Sequence, residues 1–207
     1  LVTLDEQEHI LVVTIHHIAS DGWSLSIIVQ ELVELYNSYS EKRPLELSLL
    51  QLQYADYAIW QRNYLQGELL DNKIRYWKEK LQGVAALHLP TDYLRPAVQS
   101  TKGAILGFHI NGDLLKGLEI LSHREGVSLF MTLLATFKVL LYGYSNQQDI
   151  CVGTQVANRT QQELEGLVGF LRNTIAFRTN VIGDVQFVEP LNTVKVATLE
   201  ELATTDL

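Results

Sequence analysis

Cysteine is almost missing from this chain. One residue, Cys151, stands among 207, which excludes an internal disulfide framework and fits a reducing, cytoplasmic setting. Long apolar runs are also absent, so no segment reads as a membrane span, and "LVTLDEQEHI" at the start lacks the pattern of a signal peptide. Basic residues are few: 16 Lys and Arg against 24 Asp and Glu leave a net charge of −8, with no basic cluster. That balance argues against nucleic acid as a partner. No glycine-rich turn links a strand to a helix, which removes a dinucleotide-binding fold. There is no internal repeat and no low-complexity segment.

What remains is an ordinary globular composition, 47% apolar and 19% charged, long enough for one domain or two small ones. The first residue, Leu1, and the helix-like "ELATTDL" at the other end both read as cut from something longer. Residues 8–16 predict a buried strand, apolar on both faces at Ile10–Val13. A helix is predicted over 24–39, with Leu25, Ile28, Val29, Leu32, Val33, Tyr36 and Tyr39 at helical spacing and Ser24 as its N-cap. A longer aromatic-rich helical region runs over 51–81, broken near Gly67. Residues 88–103, with Pro90 and Pro96 and little periodicity, form the best linker candidate. Beyond it the pattern predicts strand 104–110, helices 112–124 and 127–142, strands 149–156 and 174–181, and helix 187–203. In the second of these helices Leu129, Phe130, Leu133, Leu134, Phe137, Leu140 and Leu141 form one apolar face.

The chemistry concentrates in "TIHHIASDGWS", residues 14–24. Side chains alternate along a strand, so His16 and His17 are expected on opposite faces, one buried and structural, the other facing a cleft. Asp21 suits a turn that it holds by accepting N–H bonds or by pairing with an arginine, and Gly22 lets a substrate approach the backbone closely. Three plainer readings stay open on the residues alone. The histidines are hydrogen-bonded core residues; or His17 and Asp21 are two metal ligands, though no third recurs at ligand spacing; or Ser24 is a nucleophile, though it lacks the strand–elbow motif. His9, His88, His109 and His123 read as surface residues, Cys151 as inert in an apolar strand, and the acids of "QQELEGL" (161–167) as a solvated helix face. Tyr54, Tyr57, Trp60 and Tyr64 share one helical face, which reads as core packing.

His16-His17-Ile18-Ala19-Ser20-Asp21-Gly22 resembles the HHxxxDG signature of nonribosomal peptide synthetase condensation domains. "YADYAIWQ" (54–61), "DICVGTQVANR" (149–159) and "GLVGFLRNTIAFRT" (166–179) resemble later motifs of the same family, in order, across nearly the whole chain. The resemblance implies an α/β fold of two chloramphenicol-acetyltransferase-like lobes with a tunnel between them. Residues 1–95 would be the C-terminal part of the first lobe, and 96–207 a truncated second lobe. It implies amide formation between a donor acyl thioester and an acceptor aminoacyl thioester, each on the phosphopantetheine arm of a carrier protein. The domain itself would bind no cofactor and no metal; its partners would be upstream and downstream peptidyl carrier domains and a neighbouring adenylation domain, with no nucleic acid and no membrane. His17 and Gly22 take the catalytic positions, the latter as a backbone N–H donor to the oxyanion. His16, Asp21 and Arg159 take structural positions at the site, the last two as an ion pair, and Trp23, Ser24 and Asn173 line the tunnel.

Two positions depart from the pattern: Gln155 stands where the family usually has proline, and Leu171-Arg172 where an aromatic or apolar pair precedes Asn173. Rivals within the resemblance are an epimerization domain, disfavoured by Leu25 where tryptophan is usual; a catalytically silent member that binds carrier proteins or a recruited enzyme; and a freestanding acyltransferase to an alcohol. The family's early N-terminal motifs are missing, so the 207 residues alone are expected to be inactive.

Overall fold

Strands β1 (Val2–Asp5) and β2 (Glu8–Ile10) form an antiparallel hairpin that pairs Val2 with Ile10 and Thr3 with His9. The computed structural model describes residues 1–183 and 186–204. The predicted strand 8–16 is therefore realised only to Ile10, and residues 11–16 continue outside any ladder. A run apolar on both faces needs a neighbour on each side. No described strand lies beside it, and Leu11, Val12 and Val13 are exposed.

Helix α1 (Gly22–Glu41) starts two residues before its predicted start, because Asp21 rather than Ser24 is the N-cap. Asp21 has extended backbone and its carboxylate accepts from Ser24 N, which satisfies one orphan amide of the first turn. The aromatic region divides as expected near Gly67 into α2 (Tyr54–Tyr64) and α3 (Gly67–Lys80). A capping box opens α2, in which Gln53 N donates to Asp56 Oδ2. From 84 to 111 the chain has no helix or strand. The predicted strand 104–110 does not form. Ile105 is 100% exposed and no described segment offers it a ladder.

Helices α4 (Gly112–Glu125) and α5 (Leu129–Ser145) begin at side-chain caps Asn111 and Ser128, and α7 (Val188–Thr204) packs on α5. Strands β3 (Asp149–Val156) and β4 (Asn173–Asn180) pair with each other, and the short α6 (Gln162–Glu165) lies in their connection. The chain divides into two compact units. The first comprises Leu1–Asp71 and Gln155–Thr174; the second comprises Asn72–Thr154 and, among the described residues, 175–183 and 186–204.

Tyr57, Leu164, Leu167 and Leu171 form a core cluster of the first unit, with Tyr54 against it. Tyr57 thus packs as expected, while Trp60 and Tyr64 on the same face stay partly exposed. In the second unit Leu141, Ile150 and Val181 cluster with Val139, Tyr142 and Val152. The face that α5 buries differs from the predicted one: it holds Met131, Leu134, Ala135, Lys138 and Leu141, and leaves Phe130, Leu133, Phe137 and Leu140 at the surface. The reason is the 0% exposed Lys138, whose ammonium donates to Ile150 O (3.3 Å), Phe177 O (2.8 Å) and Thr179 Oγ1 (2.8 Å). Three donors meet three acceptors, so the polar head is satisfied inside.

Candidate active site

The chain turns at the two histidines, and that turn sets the site. Ala19 N donates to His16 O (2.9 Å), so the extended alternation stops at His16. Neither ring is buried, contrary to the expectation of one core histidine, because a strand's opposite faces do not exist here. The two rings use the same atom in opposite senses. His16 Nδ1 accepts from Ile18 N (3.1 Å), whereas His17 Nδ1 faces Ser20 O (2.5 Å). A carbonyl only accepts, so Nδ1 of His17 carries the hydrogen, and in the neutral ring Nε2 keeps its lone pair. His17 borders a cleft of about 400 Å³, together with Val13, Ile15, Ser20, Gly22, Leu25 and Val29. Gly22 is the first residue of α1, where backbone N–H groups have no intrahelical acceptor.

Asp21 closes the turn behind the cleft. Its Oδ1 accepts from Ser24 N (2.9 Å), Ser24 Oγ (2.7 Å) and Arg159 Nη2 (3.2 Å), and its Oδ2 from Arg159 Nη1 (2.9 Å) and Leu171 N (3.2 Å). The structure thus brings Asp21 and Arg159 together as a forked pair, with side chains only 2% and 1% exposed. Burial pushes the Asp21 carboxyl up, but Arg159, Ser24 and the Leu171 amide outweigh it and hold the group well below the usual carboxylate range. Arg159 also donates to Leu167 O (3.1 Å) and lies 5.5 Å from the centre of the Trp23 ring.

Ser24 is fully buried, and its hydroxyl is the hub of this network. It faces Asp21 Oδ1 and Gly169 O (3.0 Å) with its one proton, and accepts from Gly169 N (3.1 Å) and Arg159 Nη2 (3.2 Å). Trp23 turns the other way. Its Nε1 donates to Glu165 O (2.9 Å) and its ring borders a second cleft with Glu31, Glu34 and Glu46. Asn173 is exposed at the start of β4, its Oδ1 accepting from Thr174 N (2.8 Å). Of these three residues none borders the His17 cleft.

Sequence reasoning overlooked Gly169 and Phe170. A Cβ on Gly169 would collide with the Tyr54 ring, so only glycine allows that ring to touch the backbone. Tyr54 donates its hydroxyl hydrogen to Phe170 O (3.0 Å). The Phe170 ring stands edge-on to His17, centroids 5.3 Å apart at 87°. The available signal was a glycine flanked by apolar residues, downstream of an aromatic helix whose rings needed somewhere to pack. The two departures from the family pattern meet here: Arg172 donates to Gln155 Oε1 (2.5 Å), and its guanidinium lies 5.4 Å from the Phe170 ring centre. Among the described residues no cluster of His, Cys, Asp and Glu is placed to hold a metal ion.

Comparison with known proteins gives a consistent result. The family model described as Condensation domain matches residues 1–206. A linear gramicidin synthase of Brevibacillus parabrevis is 47% identical over 100% of this chain, which spans 3% of that protein. The X-domain from teicoplanin biosynthesis superposes with a TM-score of 0.82 at 26% identity, covering 93% of this chain and 44% of that one. That X-domain has also been solved in complex with OxyB. The first condensation domain of the CDA synthetase shares the fold at a TM-score of 0.77 and 17% identity, over 93% of this chain and 42% of that one.

Proposed function

This chain belongs to the Condensation domain family, whose members have the chloramphenicol-acetyltransferase-like α/β fold, and on that premise we propose that it forms amide bonds within a nonribosomal peptide synthetase. The observation that carries the reading is the His17 imidazole, held at the edge of a cleft with Nδ1 committed to Ser20 O and Nε2 left to act. In the proposed step the acceptor's amine attacks the donor's thioester carbonyl. Nε2 of His17 orients the amine or takes its proton, a contribution of roughly 10²–10⁴-fold if it acts as general base. The Gly22 N–H faces the oxygen on which charge develops. That attack forms the C–N bond; collapse of the tetrahedral intermediate restores the carbonyl, breaks the C–S bond and delivers the amine's proton to the departing thiolate. Asp21, Arg159 and His16 shape the turn without touching substrate.

Both substrates arrive as thioesters on the phosphopantetheine arms of carrier domains, with an adenylation domain nearby and the reaction in the cytoplasm. The proposed lobe division, 1–95 and 96–207, follows the family motifs and differs from the two compact units, in which 72–95 join the second and 155–174 the first. The test is made in the complete domain with loaded carrier proteins. His17→Ala should lower amide formation at least about 100-fold while leaving thermal unfolding unchanged. Full turnover by that variant would overturn the reading. The likeness to an X-domain solved with OxyB favours one second reading, a member of the fold that binds a partner enzyme. Wild-type protein that makes no amide yet binds such an enzyme would decide for it.

A further inference from the structure

We propose that Phe170 is a positioning residue for the His17 imidazole, an inference that rests on the amide-forming reading above. With Nδ1 tied to Ser20 O, the imidazole of His17 keeps one soft motion, a tilt of the ring plane. The Phe170 ring blocks that tilt from one side, edge-on at 5.3 Å and 87°. The imidazole also borders the cleft.

Phe170 is equipped to be a stop, because its backbone is tied before, at and after its own position. Gly169 N and O both meet Ser24 Oγ, Phe170 O accepts from Tyr54 Oη, and Leu171 N donates to Asp21 Oδ2. Gly169 leaves no room for displacement toward Tyr54. The Phe170 ring is braced by the Arg172 guanidinium, itself held by Gln155. The signature Asp21 and the nearby Ser24 therefore act on His17 by two routes: through the turn that carries it, and across space through the segment that carries Phe170. Phe170 is 39% exposed, while the backbone around it is fixed at three successive positions. A side chain carried on backbone tied so firmly is suited to aligning a neighbour. Misplacing a reacting group by an ångström costs on the order of 100-fold in rate, which sets the scale.

The experiment uses the complete domain and loaded carrier proteins, with Phe170→Ala, Phe170→Leu, Phe170→Tyr and His17→Ala in parallel. Phe170→Ala and Phe170→Leu should lower kcat about 10- to 100-fold with the acceptor KM and Tm unchanged. Phe170→Tyr, which keeps the ring, should restore the rate. The His17 ring protons should lose their aromatic ring-current shift in the alanine and leucine variants and keep it in the tyrosine variant. Full activity in His17→Ala would remove the catalytic reading on which the inference rests. If His17→Ala is inactive while Phe170→Ala keeps wild-type kcat, positioning by Phe170 is overturned and the catalytic reading stands. A rate loss that tracks a fall in Tm, and that Phe170→Tyr does not rescue, would equally overturn it.

Discussion

Asp21 uses one carboxylate for two tasks, capping α1 and pairing with Arg159, so its charge is committed on both sides. Replacing it by asparagine keeps the shape and strands the guanidinium. Asp21→Asn should therefore destabilise the domain by about 3–5 kcal/mol, the usual cost of breaking a buried pair. The acid dependence carries its own signature. The folded-state pKa lies below the unfolded value of about 3.9, so the unfolded chain binds more protons as pH falls. The stabilisation is complete above that value and drains away below it. Urea unfolding at a series of pH values should show this loss in the wild type and a flatter profile in Asp21→Asn; parallel profiles would refute the assignment.

At the scale of elements, helices were legible because their signals are local. Asn111 and Ser128 cap the ends of periodic segments, and α4 and α5 begin where those residues say. A strand needs a second segment, and 11–16 and 104–110 have strand-like sequences without a described partner. Register of burial was harder still. Counting apolar residues placed the Phe130–Leu133–Phe137 line of α5 inward, whereas three acceptors drew Lys138 in instead. The site divides the same way. The turn at Asp21 was readable from seven residues and its Arg159 partner, 138 positions away, from the family resemblance, whereas the Ser24–Gly169 bond spans 145 positions and left no local trace. Lys138 also supports a prediction. Burial pulls its pKa down to about 8, even though Glu201 and other nearby groups pull it up. Between about 8 and its ordinary 10.5 the unfolded state binds more protons, so stability rises with pH through that window. Guanidinium unfolding of the complete domain should show this rise, and Lys138→Met should lack it; an identical slope in both would contradict the assignment.

For the molecule as a whole, the unspent apolar surface is the governing fact. Val12, Val13, Leu25, Val29 and Leu32 in the first unit, and Phe137 and Leu140 in the second, are all exposed. Clustered apolar surface of this kind promotes association. The 207 residues produced alone should run as oligomers or aggregates in size-exclusion chromatography with light scattering, and should yield no amide from loaded carrier proteins. A monodisperse, turning-over monomer would refute this. The chain spans less than half of the solved condensation-domain and X-domain chains described above.

The Ser24–Gly169 hub has a consequence in time. Bacterial and eukaryotic ribosomes add about 5–20 residues per second, so the 145 positions between the two residues take on the order of 7–29 seconds to synthesise. Throughout that delay the nascent chain holds Asp21 and Ser24 without the arginine, glycine and leucine that will satisfy them. The Asp21–Ser24 turn is thus among the late features to mature on a translating ribosome. A stall between Ser24 and Arg159 leaves a polypeptide that contains the whole histidine signature but none of the distant residues that hold its turn.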